Sequence, residues 1–172
     1  MIRTRSLTRG LGLAAVVVVL DQLTKWWILD HVMQPPRVIE VTPFFNLVMT
    51  WNRGVSFGLF NNDSPYNALV LSGVALAIAA LLVVWLARAA QPLMVWGLGL
   101  IIGGAIGNMI DRLRFGAVAD FLDVHAGGWH WPAFNVADAA ITIGVAVLIA
   151  DSLFGSASAR KSEAATGKEA GE

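Results

Sequence analysis

Residues 64–110 read SPYNALVLSGVALAIAALLVVWLARAAQPLMVWGLGLIIGGAIGNMI, and the only charge among them is Arg88. A helix needs about 20 apolar residues to cross the hydrocarbon core of a bilayer. Ser64 to Ala87 and Ala89 to Ile110 each meet that length without a charged side chain, so Arg88 marks a short turn between two spans. Working outward, Leu11 to Leu29 is apolar except for Asp21 and Lys25, and Asn135 to Phe154 except for Asp138 and Asp151. The pattern predicts an all-α membrane protein, a four-transmembrane-helix bundle with spans near 11–29, 66–87, 93–111 and 135–154. Residues 1–155 form its single domain.

Composition agrees. Of 172 residues, 56% are hydrophobic and 14% charged, where a soluble domain carries about a quarter charged. Mean hydropathy is +0.65. Six of the charges (Arg160, Lys161, Glu163, Lys168, Glu169, Glu172) fall in the small, polar stretch 156–172, read as a disordered cytoplasmic tail. Zero net charge offers no footprint for nucleic acid. The absence of cysteine excludes disulfides, thiol nucleophiles and thiolate metal sites.

Positive charges in short flanks orient a bundle. Arg3, Arg5, Arg9, Arg88, Arg160 and Lys161 would face the cytoplasm with both termini inside, and Arg37, Arg53, Arg112 and Arg114 would face out. Residues 1–20 have the dimensions of a signal peptide, but Asp21 to Trp27 carries no small-residue cleavage pattern, so the segment is expected to remain as the first span. On the outer side, residues 37–60 hold β-type runs (Val38 to Val41, Phe44 to Trp51) and a turn at Asn52-Arg53-Gly54, so this loop is expected to carry structure of its own. Trp26, Trp27, Trp51, Trp129 and Trp131 fall near the same interface, where amphipathic rings prefer to sit.

Ionisable groups within spans cost several kcal/mol (order of magnitude) unless paired or functional, so their positions carry information. Asp21 and Lys25, spaced i, i+4, share one face of the first helix. Asn108, Asp111 and Arg112 close the outer end of the third. Asp120 lies in the loop beyond it, Asp138 one turn into the fourth helix, and Asn52 in the first outer loop. Distant segments thus converge at one depth. Simpler readings exist for each: an intrahelical ion pair for Asp21 and Lys25, and a capping box for Asn135 and Asp138. Arg112 and Arg114 can serve as headgroup or topology charges, Asp123 and Asp151 as solvated interfacial carboxylates. Gly99, Gly103 and Gly107 form a smooth strip for helix packing, within the monomer or in a dimer.

Among possible chemistries, a metal centre is poorly supported, because His125 and His130 flank Gly127-Gly128 at no recognised ligand spacing and no third ligand is evident. Ser56 and Ser72 lack an activating base. A carboxylate pair remains. Two carboxyls sharing one proton can hold a water, one as base and one polarising a carbonyl. Asp120 and Asp138 are the natural couple, with the proton expected on Asp120 in its apolar surroundings and Asp138 ionised near the helix N-terminus.

Five stretches in order resemble the lipoprotein signal peptidases, the type II signal peptidases of bacterial inner membranes. They are Asp21-Gln22-Leu23-Thr24-Lys25, Asn52-Arg53-Gly54-Val55-Ser56-Phe57, Gly103 to Arg112, Val118-Ala119-Asp120-Phe121, and Phe134 to Ala139. The resemblance implies an aspartyl endopeptidase that cleaves prolipoproteins before a diacylglyceryl-modified lipobox cysteine. It implies no cofactor, a monomer, membrane lipids as surroundings, and a β-cradle and lid over residues 37–62. By motif, Asp120 and Asp138 would be catalytic, and Asp21, Lys25, Asn52, Asn108, Arg112 and Asn135 supporting or substrate-binding. Ala119 departs from the pattern, which commonly has a larger aliphatic residue there. Two other classes fit the composition. A small four-helix proton-coupled transporter would use Asp21 as its coupling carboxylate but should place polar groups near the midplane. A scaffold protein packing through the glycine strip leaves the two aspartates unexplained.

Overall fold

The computed structural model describes residues 2–54 and 66–169, with side chains as far as residue 154. Four helices are long and apolar enough to cross a membrane. Helix α1 (Thr4–Trp27) runs on through a π-helical turn, Ile28–Val32, so that the first span extends to the outer connection. Helix α2 covers Asn67–Leu86, α3 Pro92–Phe115 and α4 Val136–Glu169. Helix α4 is drawn as far as Glu169, through a segment rich in alanine, lysine and glutamate, all good helix formers.

Helix α3 is the centre of the bundle. Half of its most apolar window is buried, against 28% for the α1 span and 17% each for α2 and α4. Its glycines explain how neighbours come so close. A Cβ at Gly103 would lie 2.7 Å from the Ala14 carbonyl oxygen and from Val17 Cβ of α1. A Cβ on the opposite face, at Gly104, would collide with the Ala137 carbonyl of α4. The strip Gly99, Gly103 and Gly107 therefore packs α3 onto α1 within one chain, against Gly10, Ala14 and Asp21. Away from the sheet, Ala14, Leu86, Ala89, Val95, Leu98 and Ile102 form a core between α1, α2 and α3.

The all-α expectation is too narrow. Strands β1 (Ile39–Thr42), β2 (Phe45–Asn52), β3 (Val118–Ala126) and β4 (Trp129–His130) pair antiparallel in sequence order. The first two lie in the predicted stretch, but β3 and β4 come from between α3 and α4, and Asp120, expected in a loop, sits on β3. Residues 55–62 of the expected lid, Ser56 among them, are outside the described residues. Gly116 at φ 74° ends α3 in a left-handed cap and turns the chain into β3. Gly127 and Gly128 at φ 58° and 81° give the mirror-image turn that closes the β3–β4 hairpin. The sheet seats on the helix ends through Ile28, Met33 and Phe121.

Replacing Gly103 by Val should cost about 1–3 kcal/mol through overpacking against Ala14 and Val17. Gly73→Ala in α2, where an added Cβ meets nothing within 4 Å, should leave the unfolding temperature unchanged or raised. Thermal unfolding of the two variants in detergent compares them directly.

Candidate active site

All eight residues expected at the site come together where β3 crosses the sheet-side ends of α1, α3 and α4. The foundation is Lys25. Its ammonium, 2% exposed with its residue, donates to Asp21 Oδ2 at 2.9 Å, to Asp111 Oδ2 at 2.8 Å and to Asn108 Oδ1 at 3.2 Å. Three donors meet three acceptors, so no charge is stranded in the interior. The remaining carboxylate oxygens are also used. Asp21 Oδ1 accepts the Ala137 N–H at 2.9 Å, in the first turn of α4, and Asp111 Oδ2 accepts the Ala119 N–H of β3 at 3.1 Å. Gln22 Nε2 donates to Asp111 Oδ1 at 2.9 Å and to Asp21 Oδ2 at 3.1 Å.

Above this layer sit Asp120 and Asp138. The segment before α4 hooks onto β3 by backbone hydrogen bonds between Phe134 and Leu122 in both directions. That delivers Asn135 to the α4 N-cap. Its Oδ1 accepts the Asp138 N–H at 2.9 Å, and Asp138 Oδ2 accepts the Asn135 N–H at 3.3 Å, the expected reciprocal cap. The same Asn135 donates from Nδ2 to Asp120 Oδ1 at 2.7 Å. On the other side, Asn108 Nδ2 donates to Asp138 Oδ1 at 2.7 Å while its Oδ1 receives Lys25. In the sheet, Thr50 pairs with Asp120 and Asn52 with Val118, which puts Asn52 and Asp120 on one face, and Asn52 Nδ2 donates to Asp120 Oδ2 at 3.2 Å. Asn52 Oδ1 holds the Gly54 N–H at 3.1 Å, the predicted turn.

Arg112 makes no hydrogen bond to either aspartate. It donates to the Gly54 carbonyl at 2.8 Å and distantly, at 3.5 Å, to that of Asn108, so it ties the end of β2 to α3. The sequence reading passed over Gln22 and left Asp111 out of the site set. The signal for Asp111 was its i+3 spacing from Asn108. Asp123 is a correction: it is buried, not solvated, and binds His130 Nδ1 at 2.9 Å and Asn46 Nδ2 at 2.9 Å. Burial works to raise its pKa, but these bonds overcome it and hold the carboxyl below its usual range. Among the described residues no group of three His, Asp or Glu side chains has metal-binding geometry.

Asp120 and Asp138 both border a cavity of about 460 Å³, lined also by Asn52, Trp131, Phe134 and Ile143. A second cavity of about 270 Å³, between α2, α3 and α4, is bordered by Asp138, Asn52, Ala75, Ile78 and Ile141. The two aspartates thus stand where polar anchors meet apolar walls. Burial and the neighbouring Asp138 charge push the Asp120 carboxyl up to about 7.

The signal peptidase (SPase) II family profile matches residues 13–154. The chain belongs to the signal peptidase II family. Its similarity to curated members is broad. It is 49% identical over 154 residues to the lipoprotein signal peptidase of Methylobacterium sp. (strain 4-46), covering 89% of this chain and 93% of that one. It is 45% identical over 150 residues to that of Janthinobacterium sp. (strain Marseille), covering 86% and 90%. Among solved structures, a bacterial membrane enzyme determined in meso at 2.3 Å aligns with TM-score 0.75 and 32% identity, over 86% of this chain and 88% of that one. Another at 1.9 Å gives 0.73 and 33%, over 84% and 92%. Membership of this family makes the chain a peptidase, and its four long apolar helices suit a membrane.

Lys25→Met should destabilise by about 3–5 kcal/mol, because Asp21 and Asp111 are left buried without a counter-ion. Asp21→Asn should cost less, since Lys25 keeps Asp111 and Asn108. Unfolding in detergent at neutral pH checks the order.

Proposed function

We propose that the chain is an aspartic endopeptidase that removes signal peptides from prolipoproteins, cleaving before the diacylglyceryl-modified cysteine, with Asp120 and Asp138 as its catalytic pair. One observation carries this reading. The two carboxyls are separated by residues 121–137, yet both line one cavity and are anchored by side-chain amides, Asn135 and Asn52 on Asp120 and Asn108 on Asp138. Amide anchors position a carboxylate without fixing its charge, which leaves the pair free to exchange a proton.

In the resting pair Asp120 holds the proton and Asp138 is ionised. Asp138 takes a proton from water as its oxygen bonds to the scissile carbonyl carbon, and Asp120 passes its proton to the carbonyl oxygen. The tetrahedral adduct collapses as Asp138 gives the water-derived proton to the leaving nitrogen and an adduct hydroxyl returns a proton to Asp120. The C–N bond breaks, and the signal peptide departs with the new carboxyl. Lys25, Asp21, Asp111, Gln22 and Arg112 act as positioning residues beneath the pair.

The site is read as extracytoplasmic, with both termini in the cytoplasm of a bacterial inner-membrane protein. Supporting this, the Arg3 N–H bonds the Ala87 carbonyl, so the basic N-terminal flank and Arg88 share the end opposite the sheet. A lipidated precursor brings its scissile bond to the interface by its own anchors, and the apolar walls beside Asp138 suit such a molecule.

Asp120→Asn and Asp138→Asn should each abolish cleavage of a diacylglyceryl-modified precursor in a gel-shift assay, with the unlipidated precursor as specificity control. Near-normal cleavage by either variant sinks the assignment. The free-enzyme kcat/KM should fall as pH rises through about 7, where Asp120 loses the shared proton. Asn52→Ala, which removes a hydrogen bond that favours ionised Asp120, should move this alkaline limb to higher pH.

A further inference from the structure

A third cavity, of about 290 Å³, lies on the side of the bundle away from the aspartate pair, between the outer ends of α1 and α3 and strand β2. Its rim carries Gln22, Trp26, Asp30, Trp51, Arg114 and Phe115, and its floor is the Lys25–Asp111 ion pair. The floor is fully engaged, since Lys25 has no donor left. The rim is different. Arg114 makes one long hydrogen bond, 3.5 Å to Gln22 Oε1, and stacks 4.8 Å over the Phe115 ring, which leaves most of its N–H donors without a protein acceptor among the described residues. Asp30, exposed on the π-helical turn, has neither hydrogen bond nor ion pair among the described residues. The two line the same cavity without pairing with each other.

We propose that this cavity binds the headgroup of a zwitterionic phospholipid, its phosphate on Arg114 and its primary ammonium on Asp30. An unpaired guanidinium and an unpaired carboxylate in one cavity complement a dipolar ligand better than an anion, which Asp30 repels. Guanidinium and phosphate match in geometry, and a primary ammonium offers N–H donors that a carboxylate can accept. The cavity holds a headgroup but is far smaller than a whole lipid. Outside it, Leu20, Leu23 and Trp27 of α1 and Leu113 of α3 are exposed, an apolar track along which acyl chains can lie. Trp26 and Trp51 line the cavity, and indole rings favour the bilayer interface. A soluble phosphate compound would gain nothing from that track, so a lipid is the source the surface favours.

The test is native mass spectrometry of the purified full chain in detergent micelles containing phosphatidylethanolamine, phosphatidylcholine or phosphatidylglycerol with identical acyl chains. The expected result is one retained phosphatidylethanolamine per chain, with retention about tenfold weaker for the choline and glycerol lipids and in Arg114→Gln and Asp30→Asn. Asp30 is exposed and makes no described protein bond, so Asp30→Asn reports even if Arg114→Gln fails to fold. Equal retention by the folded variants overturns the site. Phosphatidylglycerol held as tightly as phosphatidylethanolamine overturns the zwitterion assignment, and phosphatidylcholine held as tightly overturns the contact between the primary ammonium and Asp30. Displacement of the lipid by an equimolar chain-free glycerophosphoethanolamine makes the ligand a soluble one and overturns the lipid. Neither residue touches the aspartate pair, so precursor cleavage by both variants at the wild-type rate is expected, and failure of the lipid test leaves the cleavage reading standing.

Discussion

A single ammonium group sets the architecture of the sheet-bearing end of the bundle. Lys25 of α1 is buried among Asp21 of its own helix and Asp111 and Asn108 of α3. Asp21 in turn receives the first turn of α4, and Asp111 receives β3. A buried ion pair is rarely a net source of stability, because desolvation offsets most of the attraction. What it supplies here is register. Between them the two carboxylates accept from α1, α4 and β3, and a shift of any of these elements by one residue would break that set of bonds. Three helices and a strand are thereby locked at one height.

The layer above is built from amides. Asn135 and Asn52 hold Asp120, while Asn108 holds Asp138 and is itself polarised by Lys25. The cation is thus one amide removed from the acid it serves. Direct contact with Lys25 or Arg112 would lock Asp138 in its ionised form. The interposed asparagine transmits orientation and only part of the field. Under the proposed mechanism, this division between a charged foundation and a neutral upper shell is what leaves the two carboxyls able to trade a proton.

The helices were legible because their signal is length and charge depletion, and neither depends on tertiary contacts. The convergence of polar groups was legible because burying them is costly wherever they lie. Strand β3 was not. Val118 to Ala126 carries Asp120 and Asp123, residues poorly suited to strands, and shows no clean alternation because its first half is buried on both faces. It pairs because α3 ends at Gly116 beside β2, a fact that no local pattern contains. Gln22 escaped for a related reason: between Asp21 and Leu23 it looks like ordinary helix surface, and only the approach of Gly107 and Asp111 gives its amide acceptors. Asn52 and Asn108 stand out as polar outliers, but which carboxyl each holds follows from strand register for Asn52 and from the packing of α3 on α4 for Asn108.

Helix α2 differs from its neighbours in one respect with mechanical results. Helices α1, α3 and α4 are cross-linked by the ammonium and amide layers, whereas no described side-chain hydrogen bond joins α2 to another helix, and it packs chiefly on α3. Its 20 residues span about 30 Å, the thickness of an average hydrocarbon core. Hydrophobic mismatch is relieved most cheaply by tilting whatever is least constrained. In a membrane of different thickness, α2 is the helix that leans, and the aperture it shares with α4 beside Asp138 widens or narrows accordingly.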